Sequence, residues 1–253
     1  MKVYGFVCGW LTAPMEAFVE GGAGEAKVPV PAYLIDHPRG RAVFDTGMPA
    51  GLRTDPQAAI GRYLAGVFKA DFAPEQAIDR QLEAMDVDPA SIDLVVNSHL
   101  HFDHCAGNAL LPNARIVVQK REAAAARAAG PPKEGFDPLT MLDGRDVLEV
   151  EGEHDLFGDG SAVLLPTYGH TAGHQSLRLA CDGGDTVLAG DCCYFHRTLS
   201  DLKLPGFAHD REEQLRSIAR LKALCDRGAR IIAGHDPDQW AHLPRAPAPL
   251  LAG

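Results

Sequence analysis

Asn97-Ser98-His99-Leu100-His101-Phe102-Asp103-His104-Cys105-Ala106-Gly107-Asn108 follows directly on the apolar run 92–96. That run is short and rich in Ile and Val, so it reads as a buried strand. Its continuation places three histidines and an aspartate within the six positions 99–104. His99 and His101 project to the same side of an extended segment, whereas Asp103 and His104 come where the chain must turn toward Gly107. One stretch can therefore present two separate groups of metal ligands.

Further ligand candidates stand where other apparent strands end. His170-Thr171-Ala172-Gly173-His174 follows 163–166, Asp191 follows 187–190, and His235 follows 231–234. Side chains gathered from strand ends along one edge of a fold make a rigid site, because strands fix position better than loops. Together with the first cluster they supply enough histidines and carboxylates for two divalent ions sharing a bridge.

Around these motifs, short Val-, Ile- and Leu-rich runs at 28–35, 41–44, 115–118, 162–165, 176–179, 186–189 and 230–232 read as strands. Cys181-Asp182-Gly183-Gly184-Asp185 reads as a hairpin turn between two of them. Helical patterns fall at 74–85, 121–129 and 211–227, the last with Leu215, Ile218, Leu221, Leu224 and Cys225 on one stripe. Both halves carry more strands than a simple βαβ run supplies. The expectation is an αββα four-layer sandwich, two mixed sheets with helices outside, as a single domain over 1–253.

The composition narrows the partners. The chain has 253 residues, 46% hydrophobic and 23% charged, which is ordinary for a globular domain. With 24 Lys+Arg against 34 Asp+Glu the net charge is -10, and basic residues do not cluster. Neither nucleic acid nor an anionic membrane surface is expected as a partner; a small neutral or weakly charged molecule is. No apolar run reaches the roughly 18 to 20 residues that span a bilayer. The stretch 3–11 reads as a first strand rather than an export signal. The six cysteines show no CxxC spacing and suggest reduced thiols in a cytoplasmic protein. The oligomeric state is left open.

The metal motif and the segments around it resemble the metallo-β-lactamase superfamily and, within it, the N-acyl homoserine lactone lactonases. Val28-Pro29-Val30-Pro31 with Tyr33-Leu34, Phe44-Asp45-Thr46-Gly47-Met48-Pro49, Gly169 to Leu177, Asp191-Cys192-Cys193-Tyr194 and Gly234-His235-Asp236 are similar to lactonase segments in lactonase order. The likeness runs over nearly the whole length. It implies one cation on His99, His101 and His174, a second on Asp103, His104 and His235, and Asp191 as the bridge. Zn²⁺ is the first expectation for both ions, with Mn, Fe or Co also suited to such ligands. Asp45 is implied to orient a ligating histidine, and His170 is expected to steady the loop that carries His174. Tyr168 and Ala172 replace prolines usual in that loop.

The activity implied is the opening of a lactone ring. Tyr194 would stabilise the oxyanion and Asp103 would carry a proton to the departing ring oxygen. Phe18, Met48, Phe68, Phe102 and Tyr194 are expected to hold the substrate and its acyl tail. Lactonases acting on γ-butyrolactone or 4-pyridoxolactone share these motifs and form the nearest alternative. A thioester hydrolase fits less well, since little chain follows His235. A module that binds metal or lactone without turnover would be marked by a missing ligand, and none is missing.

Overall fold

In the computed structural model, which describes residues 1–252, continuous apolar runs bury both faces of the central strands. In chain order the strands are β1 (Lys2–Pro14), β2 (Glu25–His37), β3 (Gly40–Phe44), β4 (Lys69–Asp71), β5 (Leu94–Val96), β6 (Arg115–Gln119) and β7 (Val147–Val150). The second half contributes β8 (His154–Asp155), β9 (Ala162–Pro166), β10 (Gln175–Leu179), β11 (Thr186–Leu188), β12 (Arg230–Ile232) and, closing the chain, β13 (Leu251–Ala252). Among the described residues they form an eight-stranded sheet in the order β13-β1-β2-β3-β5-β6-β7, with β4 beside β1, and a five-stranded sheet in the order β12-β11-β10-β9-β8. Both sheets are mixed: β3, β5, β6 and β7 run parallel, as do β11 and β12, and the other pairs are antiparallel.

The period-2 pattern explains the layering. On β2, Tyr33 and Ile35 face the second sheet and pack with Leu164, Leu177, Leu188 and Ile232 in the central core. Their neighbours Ala32 and Leu34 point the other way, against Ile78 and Leu82 of the helix Ile78–Glu83 and Ala123 of the helix Lys120–Ala129. The outer face of the second sheet uses Val163, Leu165, Val187 and Ile231 to bury Ile218 and Leu221 of the helix Arg211–Asp226. The result is helix, sheet, sheet, helix, as the sequence predicts.

Two local expectations need correction. The stretch 74–85 is not one helix: a 3₁₀ turn at Pro74–Gln76 stops at Ala77, whose ψ of 144° is extended, before Ile78–Glu83 begins. The Gln76 side chain folds back to accept the Ala73 N–H at 2.9 Å, closing that turn separately. In Arg211–Asp226, Leu215 is 40% exposed, and Gln214 and Ser217 join Ile218 and Leu221 on the buried face. The helix turns this polar pair inward because the loops it covers carry backbone groups to bond: Gln214 Nε2 donates to the Asp191 carbonyl at 3.3 Å and Ser217 Oγ to the Tyr168 carbonyl at 2.7 Å.

What matters for function is where strands stop. Asp45 follows β3, His99 and His101 follow β5, His170 follows β9, Asp191 follows β11 and His235 follows β12. All of these are carboxyl ends, and they meet along one edge of the sandwich. No helix among the described residues is long and apolar enough to cross a membrane.

Candidate metal centre

Two ligand groups form at that edge. His99, His101, His170 and Asp191 offer atoms within 4.8 Å of one another, and Asp103, His104 and His235 do the same. Asp191 divides its two oxygens between them. Its Oδ1 lies 3.1 Å from both His104 Nε2 and His235 Nε2, and its Oδ2 lies 3.3 Å from His170 Nε2 and 3.8 Å from His99 Nε2.

The outer nitrogens of these rings are held by the fold, which decides what the inner ones can do. His104 Nδ1 donates to Asp45 Oδ2 at 2.8 Å, and His235 Nδ1 donates to the Pro29 carbonyl at 2.7 Å. Each Nε2 is thereby left as a lone pair directed at Asp191. A lone pair and a carboxylate oxygen 3.1 Å apart repel unless a cation or a proton lies between them. His99 Nε2, His104 Nε2 and Asp191 Oδ1 are buried without a hydrogen-bond partner, an arrangement that is costly for the protein alone and natural around a divalent ion. The donor set fits two cations.

Burial keeps His99 and His170 well below the ordinary histidine pKa, in the neutral form that ligates metals. Burial acts the same way on His104, but Asp191, Asp103 and Asp45 outweigh it and raise its pKa, so that it competes for a proton wherever no cation sits. Asp191 is opposed by burial yet lies well below the carboxylate range, because His104 and His235 face it.

The structure reverses the expected roles of the two histidines in the loop after β9. His170, not His174, joins His99, His101 and Asp191. His174 is fully buried with both ring nitrogens engaged: Nδ1 lies 3.1 Å from the Thr167 carbonyl and 2.9 Å from Thr167 Oγ1, and Nε2 accepts the Asp191 backbone N–H at 3.0 Å. Burial drives its pKa down to about 3, so it stays a neutral acceptor that holds the backbone of Asp191. Gly190, at φ 54°, is required beside it, since a Cβ there would come within 2.8 Å of His174 Nε2.

Asp45 lies against His104 and Ser98. It accepts from Ser98 N at 2.7 Å, Ser98 Oγ at 2.8 Å and His104 Nδ1. Its φ of 58° is a conformation that aspartate tolerates better than most residues, and the three bonds hold it there.

A cavity of about 640 Å³ opens over the cluster, with His101, Asp103, Asp191, His235 and Tyr194 at its base. Phe18, Phe68 and Phe102 line it as expected and meet Tyr194 in a chain of edge-on rings, with centroids 6.1 Å apart for Phe18–Phe68 and Phe68–Phe102 and 6.0 Å for Phe18–Tyr194. Met48 does not line it. It packs behind the wall in the same apolar cluster, 7% exposed and with its Cε against Gly9. Tyr63 and Phe207, 80% and 44% exposed, stand at the rim. Burial, with Asp191 and Asp103 close by, raises the Tyr194 pKa well above 10, so its hydroxyl remains a donor.

A model of the metallo-β-lactamase superfamily matches residues 27–235. The chain belongs to that superfamily. Within the superfamily it is 31% identical over 236 residues to the N-acyl homoserine lactonase AttM of Azorhizobium caulinodans, covering 90% of this chain and 89% of the relative. It is 31% identical over 214 residues to the N-acyl homoserine lactonase AiiA of Bacillus thuringiensis subsp. kurstaki, covering 84% and 83%. Among solved structures, an N-acyl homoserine lactone hydrolase with N-hexanoyl-L-homoserine at its catalytic metal centre superposes with a TM-score of 0.86 at 27% identity, covering 98% of each chain. The superfamily fold thus accounts for both sheets and the position of the ligand groups.

Sequence reasoning missed the residues that hold the ligand loops in place. Glu122, Thr167, Gln175 and the reciprocal pair Asn97 and Asn108 all act here. Polar residues beside strand ends, Asn97, Thr167 and Gln175, were the available signal, but their partners lie too far along the chain to be paired by spacing, and Glu122 and Asn108 lie in helical turns that carry no such signal.

Proposed function

We propose that this hydrolase opens the ring ester of N-acyl homoserine lactones, using two divalent cations, zinc first among them. His99, His101 and His170 would hold one, Asp103, His104 and His235 the other, and Asp191 would be shared. The observation that carries this reading is the double ligand group set at the base of an aromatic-walled cavity with a protonated tyrosine beside it. Similarity to lactonases over most of the chain supports it.

Cations bound there supply Lewis acidity and a water acidic enough to attack at neutral pH. The chain's own residues do the rest. Tyr194 donates its hydroxyl hydrogen bond to the lactone carbonyl oxygen as negative charge grows on it. Asp103 would take a proton from the attacking water as its oxygen adds to the carbonyl carbon, the ring C–O bond would break, and Asp103 would pass that proton to the departing ring oxygen, so that one water is added and an N-acyl homoserine is left. Phe18, Phe68 and Phe102 exclude water and hold the tail, each buried methylene contributing up to about 0.8 kcal/mol. The amide survives because its amine is the poorer leaving group. The proposed compartment is the cytoplasm, where cysteines stay reduced.

The test is hydrolysis of N-hexanoyl homoserine lactone by zinc-loaded protein. Mass spectrometry should show one added water and no hexanoic acid, and acid should close the ring again. Efficiency should rise from short to medium acyl chains. Free hexanoic acid overturns the reading in favour of amide cleavage; turnover confined to tail-less lactones moves the substrate to γ-butyrolactone.

A further inference from the structure

Glu122 lies in the first turn of the helix Lys120–Ala129 and is 5% exposed. Its two oxygens reach two different loops. Oε1 accepts the backbone N–H of Leu100, between His99 and His101, at 3.0 Å, and Oε2 accepts the N–H of Gly173, in the loop of His170, at 2.8 Å. Among the described residues no Lys or Arg pairs with it, so these amides are what the carboxylate serves. The approach is close: a Cβ on Gly173 would lie 2.3 Å from the Glu122 backbone nitrogen. At their other ends the same loops are joined by Gln175, whose backbone N–H donates to the Ser98 carbonyl and whose side chain donates to the Asn97 carbonyl, both at 2.8 Å.

We propose that Glu122 is a positioning residue that fixes the distance between the His99–His101 segment and His170, and so sets the affinity of that ligand group for its cation. The inference rests on the two-cation reading above and adds a division of labour to it. The group of Asp103, His104 and His235 has braces of its own, Asp45 on His104 and the Pro29 carbonyl on His235, although Asp45 also reaches the other segment through Ser98, whose Oγ lies 3.0 Å from His99 Nδ1. Glu122 touches neither brace. A carboxylate is needed because both partners are N–H donors: glutamine keeps the shape and one acceptor, but turns an NH₂ toward the other amide. Losing one brace should therefore open one site of two rather than loosen the whole centre.

The experiment is Glu122→Gln, stripped of metal and titrated with zinc against a chromophoric chelator, with wild type and Asp45→Asn in parallel. Wild type should take two equivalents. E122Q should hold one as wild type does and the other about 10- to 100-fold more weakly, the usual cost of removing an outer hydrogen-bond partner of a metal site. The metal-free variant should melt close to metal-free wild type. The cobalt-loaded variant should lose the visible absorption of one ion only. Two equivalents at wild-type affinity, or equal weakening of both, overturns the proposal. If E122Q does not fold, Glu122→Asp, which keeps the charge but reaches only one amide, replaces it; unfolding of both variants makes Glu122 a fold residue and also overturns it. A wild type that binds no zinc defeats the two-cation reading itself, a distinct result.

Discussion

Replacing Asp45 with asparagine changes few heavy atoms and tests whether the proton on His104 is placed by the fold. Three hydrogen bonds of 2.7 to 2.8 Å end on this carboxylate. In Asp45→Asn the remaining oxygen can still accept from Ser98 N, and Ser98 Oγ can rotate to accept from the new NH₂. His104 Nδ1 has no such freedom while it carries a proton, because it would face an N–H. The ring can relieve the clash by moving the proton to Nε2, the atom that points at Asp191 and Asp103 at 3.1 and 3.5 Å, but Nε2 then cannot ligate. Binding a cation forces the clash back. The cost is one charge-assisted hydrogen bond, about 1.5–3 kcal/mol, or roughly 10- to 100-fold in affinity at 1.4 kcal/mol per tenfold. Zinc titration of D45N against a chelator should show this loss in one equivalent, with activity restored by excess zinc. Wild-type affinity for both equivalents would refute the tautomer argument.

The exchanged roles of the loop histidines predict that His170→Ala loses one zinc equivalent, whereas His174→Ala retains measurable binding at both sites, weakened through the backbone of Asp191; metal analysis after dialysis distinguishes them. Tyr194→Phe should bind zinc normally and lose about 10²- to 10³-fold in kcat, the usual effect of removing one oxyanion donor. Asp103→Ala, which removes a ligand and the proton carrier together, should lose more than Tyr194→Phe in the same assay; near-normal turnover with full zinc content would deprive Asp103 of its assigned role.

What could be read in the sequence, and what could not, follows the range over which each interaction acts. Period-2 runs such as 115–118 and the HxHxDH cluster are local, so the strands, the layer order and the candidates His99, His101, Asp103 and His104 come from neighbours in the chain, whereas Asp191 and His235 stand alone at strand ends and gain their ligand roles from the family resemblance. Strands such as β4, β8 and β13, of two or three residues, owe their existence to the partners that pair with them and leave no run to recognise. Gln214 and Leu215 are adjacent and differ by about 100° around the helix, so an apolar stripe assigned by residue type chose the wrong one where the buried face has carbonyls to satisfy. The histidines at 170 and 174 pose the same difficulty at the site itself. Either could end a loop at a metal, and nothing within the segment ranks them. Thr167, by taking Nδ1, and the Asp191 N–H, by taking Nε2, remove His174 from contention, and the second of these partners lies on a different strand's exit. The proposed ligands are therefore separated from His174 by what their inner nitrogens meet: either nothing or another member of the same group. His104 Nε2 and His99 Nε2 have no hydrogen-bond partner and His170 Nε2 has only His101 Nδ1, 3.1 Å away within the same group, whereas both nitrogens of His174 are held by groups of the surrounding loops.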